Sequence, residues 1–162
     1  MSREIDAAYV WSVLEEVHDP EIPVISVVEL GLIQGVEVDR GRVRVSLTPT
    51  FAGCPALHVM RREIEERLRA LGADPVEIVI VLSPPWTTDR ITPDGREKLR
   101  AFGLAPAPFH GGNVEIVLAR AAECPYCHSQ DTVLKNGFGP TPCRSIHYCN
   151  DCRQPFEAFK PI

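Results

Sequence analysis

The sequence lacks the features that mark secreted and membrane proteins. No apolar run approaches the roughly 20 residues that a membrane helix needs. The first residues, Met-Ser-Arg-Glu-Ile-Asp, carry acids where a signal peptide has a basic stretch followed by an apolar one. These absences predict a cytoplasmic protein with no membrane partner.

A dense concentration of positive charge is also missing. The formal net charge is -5; residues 1–123 carry 13 basic and 19 acidic side chains, and residues 124–162 carry 4 and 3. Neither part offers the basic surface that binding to nucleic-acid phosphates requires. We therefore expect no nucleic-acid partner.

Cysteine is scarce along most of the chain and concentrated at its end. Residues 1–123 contain Cys54 alone, whereas the other five of the six cysteines lie in residues 124–162. Four of these five form two CxxC pairs: Cys124, Cys127, Cys149 and Cys152. In a chain without an export signal, paired cysteines at this spacing indicate a metal site instead of disulfides.

The chemistry of four thiolates predicts which metal this site holds. Two CxxC turns can complete a tetrahedron around one ion, and such closed sites contribute folding energy. We therefore predict structural zinc in a β-type ribbon with strands at 132–134 and 146–148. An iron–sulfur cluster or a redox-active site is the alternative.

Hydrophobic periodicity predicts a small mixed α/β domain ahead of the ribbon. The predicted elements are helices over 5–17, 55–71 and 92–102 and strands over 32–38, 42–48 and 76–82. The segment 103–113 is rich in Pro and Gly and predicts a linker or long loop. An apolar strand over 114–119 either completes the first sheet or leads into the ribbon.

The fold class is therefore α+β, with a mixed α/β domain followed by a zinc ribbon. The predicted domains are 1–113, extendable to 120, and 121–162. Trp86, in a Pro-rich loop, is interpreted as a packing anchor, with a partner contact as the alternative.

Cys54 is the candidate reactive residue of the first domain. It directly precedes Pro55, and Pro is favoured at the first position of a helix. This position predicts an N-cap, where free N–H groups and the helix dipole favour a thiolate. We interpret Cys54 as a functional thiolate, with a buried core cysteine as the alternative. His58, one turn later, is a weaker candidate.

Three further residues are candidates for metal handling. Asp19 and Glu21 taken alone are typical of turns, in which an aspartate bonds nearby backbone. A carboxylate brought near Cys54 by folding would instead complete an exchangeable site with hard and soft ligands. Cys143, six residues before Cys149, is a small buried residue, an additional ligand or a transfer thiol.

Several motifs resemble known families. The runs at 19–23 (DPEIP), 28–32 (VELGL) and 48–55 (TPTFAGCP) resemble the SufT-like domain of iron–sulfur assembly proteins. The runs at 83–89 (SPPWTTD) and 141–143 (TPC), together with the ribbon, are similar to the PaaD family, also called PaaJ, which is associated with the multicomponent phenylacetyl-CoA epoxidase.

The resemblance implies an accessory subunit of phenylacetate degradation that assists assembly of iron–sulfur or di-iron centres. In that role Cys54, with Asp19 and Glu21, would hold iron or a cluster transiently, and Cys143 gains weight as a functional thiol. The implied partners are the oxygenase and reductase subunits, with a homodimer left open. The alternative is a structural or electron-transfer subunit; a catalytic activity of its own is not expected, because no oxyanion or substrate motif is present.

Overall fold

The computed structural model describes residues 4–51, 53–113 and 121–162. The chain divides into two compact units, Met1–Trp86 and Thr87–Ile162. This division lies N-terminal to the boundary predicted from the Pro- and Gly-rich segment, and the strand predicted over 114–119 lies outside the described residues. None of the helices in these three ranges has both the length and the apolar composition needed to span a bilayer.

The first unit contains two helices and a three-stranded sheet. In chain order these are α1 (Ala7–Leu14), β1 (Ile33–Asp39), β2 (Arg42–Leu47), α2 (Ala56–Ala70) and β3 (Val76–Ile80). The strand order is β1-β2-β3, with β1 antiparallel and β3 parallel to β2. Helix α2 is therefore the crossover between two parallel strands, and the loops after β2 and β3 leave from the same edge of the sheet.

Local sequence explains most boundaries of the first unit. Arg40 and Gly41 both have positive φ, at 50° and 87°, as a two-residue hairpin turn requires, and they join the two strands predicted over 32–38 and 42–48. Gly72, with φ of 92°, follows the last turn of α2, as is common at the end of a helix. Helix α1 ends at Leu14 instead of residue 17, because the backbone N–H groups of residues 16 and 17 bond back only three residues.

The segment between α1 and β1 is held by side-chain hydrogen bonds. The Ser26 hydroxyl accepts the Glu29 N–H at 3.1 Å, and the Glu29 carboxylate accepts the Ser26 N–H at 3.0 Å, which is a capping box around one helical turn. The indole N–H of Trp86 donates to the carbonyl of Leu30 at 2.8 Å, and the side chain is buried. Trp86 is therefore the packing anchor that the sequence predicted.

The second unit combines a short helix with a four-stranded sheet. Its elements are a 3-10 turn (Thr88–Arg90), α3 (Pro93–Ala101), β4 (Leu104–Ala105), β5 (Thr132–Asn136), β6 (Arg144–Cys149) and β7 (Pro155–Phe159). The strand order is β4-β7-β6-β5. The start of α3 is as predicted, since the Thr92 hydroxyl accepts the Gly95 N–H at 3.1 Å.

Part of the predicted linker is a strand. Leu104 and Ala105 pair in parallel with β7, and two residues are too few to produce a recognisable period in sequence. The buried guanidinium of Arg96 fastens the same segment: it donates to the carbonyl of Ala107 and lies 3.8 Å from the centre of the Phe109 ring. With the mixed domain and the β ribbon both present, the α+β fold class is confirmed.

Candidate functional site

The second unit brings the four predicted metal ligands together. The sulfur atoms of Cys124, Cys127, Cys149 and Cys152 all lie within 4.8 Å of one another. The Cys124–Cys152 and Cys127–Cys149 pairs are 3.7 and 3.6 Å apart. A tetrahedral ion with metal–sulfur bonds of about 2.3 Å holds its ligands at nearly this spacing, so the donor set fits zinc.

Two turns of the same shape carry these cysteines. The residue after each CxxC pair, His128 or Arg153, has a left-handed backbone with φ of 62° or 59°. This conformation turns the chain back, so that the His128 N–H reaches the carbonyl of Cys124 at 2.9 Å. Neither residue is glycine, which adopts this conformation most readily.

The electrostatics of the cluster also favour a bound cation. The backbone N–H of Cys152 donates to the sulfur of Cys149 and lowers the pKa of that thiol to about 7. Burial, together with the hydrogen bond to Cys149, raises the pKa of Cys152 to about 12. Thiols this close cannot all ionise together without a positive ion among them.

Cys143 lies apart from this cluster. It directly precedes β6, whereas Cys149 ends that strand, so six residues of extended chain, roughly 20 Å, separate them. Cys143 is buried, and its sulfur is 3.1 Å from the Thr141 hydroxyl. The structure therefore does not bring it to the same ion as the CxxC pairs.

The two histidines near the ribbon ligands have other partners. His128 is exposed and pairs with the Glu123 carboxylate at 3.1 Å. His147 stacks on Phe156 and bonds the Ser145 hydroxyl at 2.9 Å. Neither histidine belongs to the group of four clustered ligands.

In the first unit, Cys54 lies at the sheet edge where β2 ends. The loop from Thr48 to Pro55 connects that strand to α2. Ligands and reactive groups of open α/β sheets gather at the carboxyl ends of the strands. Cys54 is half-buried, and its backbone N–H bonds the carbonyl of Phe51 at 3.1 Å.

The predicted ionisation of Cys54 is wrong in direction. The N-cap of α2 is Pro55, so Cys54 lies one residue earlier than predicted. Burial raises the pKa of its thiol above the ordinary value of 9.0, and this outweighs the N–H groups of Ala56 and Leu57, which donate to the sulfur. Burial therefore favours the protonated thiol at Cys54.

Asp19 has the turn role that the sequence indicated and also acts electrostatically on Cys54. Its carboxylate accepts the N–H groups of Glu21 at 2.7 Å and Ile22 at 3.0 Å, which is the predicted turn chemistry. Its negative charge also raises the pKa of Cys54, so the fold brings this buried carboxylate within electrostatic range of the thiol. Glu21 is exposed.

Thr50 is a neighbour of Cys54 to which sequence reasoning assigned no role. Its hydroxyl hydrogen-bonds the sulfur and lowers the pKa of the thiol. Its position four residues before Cys54 in the same loop was the available signal. His58, the weaker candidate, is exposed.

Replacing Asp19 with asparagine separates its two roles. The asparagine oxygen can still accept the turn hydrogen bonds, but the negative charge is gone, so we expect the Cys54 pKa to fall and its alkylation at neutral pH to accelerate. The rate of iodoacetamide labelling of the Cys54 peptide, followed against pH by mass spectrometry, measures this. Asp39→Asn, an exposed change in the β1–β2 turn, is the control. An unchanged pH profile in Asp19→Asn would contradict the electrostatic role.

Comparisons with known proteins match two separate parts of the chain. Residues 7–81 match the family described as iron–sulfur cluster assembly protein, and residues 113–160 match the PaaD zinc beta ribbon domain. An Escherichia coli (strain K12) protein, named as one of the subunits of 1,2-phenylacetyl-CoA epoxidase, is 40% identical over 94% of this chain and 92% of its own length. The chain belongs to the PaaD family.

Other relatives of this PaaD-family chain match its first unit. The Fe–S protein maturation auxiliary factor YitW of Bacillus subtilis (strain 168) is 35% identical over 51% of this chain and 82% of its own length. A conserved hypothetical protein of Thermotoga maritima has a similar structure, with a TM-score of 0.53 and 33% identity over 61% of this chain and 98% of its own. Both resemblances identified in the sequence are thereby confirmed.

Proposed function

We propose that this PaaD-family chain is an accessory factor of a phenylacetyl-CoA epoxidase that assists assembly of the enzyme's iron–sulfur or di-iron centres. Cys54 binds the iron or cluster transiently, with Asp19 as the neighbouring carboxylate. The clients are the oxygenase and reductase subunits. The ribbon holds structural zinc and serves as a rigid module for contact with them.

One observation carries this proposal. A half-buried thiol and a buried carboxylate lie within electrostatic range at the edge of the sheet where strands β2 and β3 end. Sulfur is a soft ligand and carboxylate oxygen a hard one, and a pair of this kind suits iron without enclosing it. The Cys54 site differs from the ribbon site in its number of ligands. Four thiolates fill every coordination position of one ion, whereas one thiol leaves most positions to the client.

The proton on Cys54 makes this binding reversible. Uptake of Fe²⁺ replaces the thiol proton with the metal and releases that proton to solvent, and transfer to a client returns a thiol. Because the pKa of Cys54 is raised, a larger share of the binding energy is spent on deprotonation at neutral pH. A weak, exchangeable site results, as a carrier requires.

Anaerobic titration of the purified, zinc-loaded chain with Fe²⁺ tests this site. We expect one weakly held iron per chain in addition to the ribbon metal, with an affinity that rises about tenfold per pH unit below the thiol pKa if one proton is released. Isothermal calorimetry in buffers of different ionisation enthalpy counts that proton.

Cys54→Ala is expected to abolish the iron signal, and Cys143→Ala is the matched control that keeps it. Equal iron binding by wild type and Cys54→Ala would remove the carrier mechanism. Binding without proton release would show that Cys54 is already a thiolate, against the burial described above.

A further inference from the structure

Strand β1 contains an irregularity next to the Cys54 loop. Ile33 pairs with Leu47 and Gly35 pairs with Ser46, so Gln34 is an extra residue with no partner of its own on β2. Such bulges occur near functional sites because they redirect a side chain out of the regular alternation. Here the redirected side chain is the amide of Gln34.

The Gln34 amide joins two loops. Its Nε2 donates to the hydroxyl of Thr48 and to the carbonyl of Pro84 at 3.3 Å. A backbone carbonyl can only accept, so the group facing Pro84 must be the nitrogen and not the amide oxygen. One NH₂ group therefore spans from the first residue after β2 to the loop that follows β3.

Each of the two loops is fixed close to this bond. Thr48 is buried, and its N–H bonds the carbonyl of Leu32 at 2.8 Å, which ties the end of β2 to the start of β1. Beyond Pro84 the chain is anchored by buried Trp86. Gln34 is the side chain that links these two anchored points across the sheet edge.

We propose that Gln34 is a positioning residue for Cys54. Its amide holds Thr48, and with it the loop that carries Thr50 and Cys54, in register with the exposed residues 82–85. The inference deepens the proposed function, since the held loop carries the metal-handling thiol. Gln34 itself touches neither iron nor client in this mechanism.

Two substitutions of similar length separate its two hydrogen bonds. Gln34→Met removes both, whereas Gln34→Glu keeps the bond to Thr48, with the hydroxyl now donating, and loses the bond to Pro84. We expect Gln34→Met to accelerate alkylation of Cys54 and amide exchange in both loops by about 2- to 10-fold, the range that loss of one net hydrogen bond to each loop allows. We expect Gln34→Glu to accelerate exchange only in the 82–86 loop, at the N–H groups of Leu82, Ser83 and Trp86, since the two prolines carry none.

Amide exchange of the full zinc-loaded chain, read by mass spectrometry, and iodoacetamide labelling of the Cys54 peptide measure these effects without iron. Gln130→Met, an exposed glutamine in the second unit, is the control. Unchanged exchange and labelling in Gln34→Met would overturn the proposal. If Gln34→Met fails to fold, amide exchange in Gln34→Glu decides. Faster exchange in the 48–55 loop, or unchanged exchange in the 82–86 loop, would also overturn the proposal.

These readouts are independent of the carrier mechanism. Loss of iron binding in Cys54→Ala with no effect of Gln34→Met would remove the positioning role and leave the proposed function intact. Full iron binding by Cys54→Ala would remove the function, and the exchange rates would still test Gln34.

Discussion

Replacing Cys149 with serine is expected to release the ribbon metal and unfold the sheet of the second unit. Cys149 ends β6 and is fully buried, and it packs with Cys124, Ala105, Phe156 and Ala158 in one apolar cluster. A serine oxygen is a poor ligand in a thiolate site. The substitution therefore removes a ligand and leaves a buried polar group in the centre of the cluster.

The size of the expected effect follows from comparing the free energy that zinc binding contributes with the free energy of unfolding of an ordinary domain. Structural zinc contributes roughly 10–16 kcal/mol in small ribbon-like modules, whereas a whole domain is stable by about 5–15 kcal/mol. Weakening the site by even half of that range is comparable to the whole stability of an ordinary domain. We expect zinc to fall from one per chain to near zero, together with loss of the dispersed amide signals of residues 121–162.

The positions of the aromatic residues allow the two units to be followed separately. Trp11 and Trp86, the two tryptophans of the sequence, both belong to the first unit. Tryptophan fluorescence is therefore expected to stay native in Cys149→Ser, while the signals of Tyr126 and Tyr148 report the ribbon. This separation distinguishes local unfolding from general collapse.

Cys143→Ala is the matched control, because it removes a buried thiol at the other end of the same strand. It should keep one zinc per chain. A folded, zinc-loaded Cys149→Ser would contradict the ligand assignment. Iron with visible absorption in the wild-type ribbon would contradict zinc and favour the electron-transfer alternative.

The ribbon site was predictable because residues close together in the sequence define it. Two cysteines three residues apart must lie in one turn, and two such turns suffice to define the cluster. The left-handed backbone at His128 and Arg153 was not predicted, since glycine, which adopts it most readily, stands at neither position.

The prediction of a thiolate at Cys54 failed because some of the groups that set its pKa are distant in sequence. The prediction rested on the residues that follow it, and their N–H groups do lower the thiol pKa. Burial and the charge of Asp19 raise it, and both come from parts of the chain distant in sequence. The bulge at Gln34 escaped prediction for a related reason: register is set by pairing between strands, which a single strand does not reveal.

Cys54→Ala is expected to leave the fold intact and the client short of metal. The thiol is half-buried in a loop, and its loss removes hydrogen bonds to one sulfur without opening the core. The free energy of unfolding should therefore change by no more than about 1 kcal/mol. Thermal unfolding and zinc content measure this on the purified chain.

The effect on the client should be far larger than the effect on stability. When the oxygenase and reductase subunits are produced together with Cys54→Ala, we expect them to lose most of their iron, because no other thiol of the first unit can replace Cys54. Cys143→Ala, produced in the same way, should load them normally if the transfer thiol is Cys54 alone. Copurification of Cys54→Ala with iron-depleted clients would show that docking and metal handling are separate properties. If the clients produced with Cys54→Ala contain their full iron, the thiol is not needed for metal loading. The chain would then act as a zinc-stabilised scaffold that only docks on them.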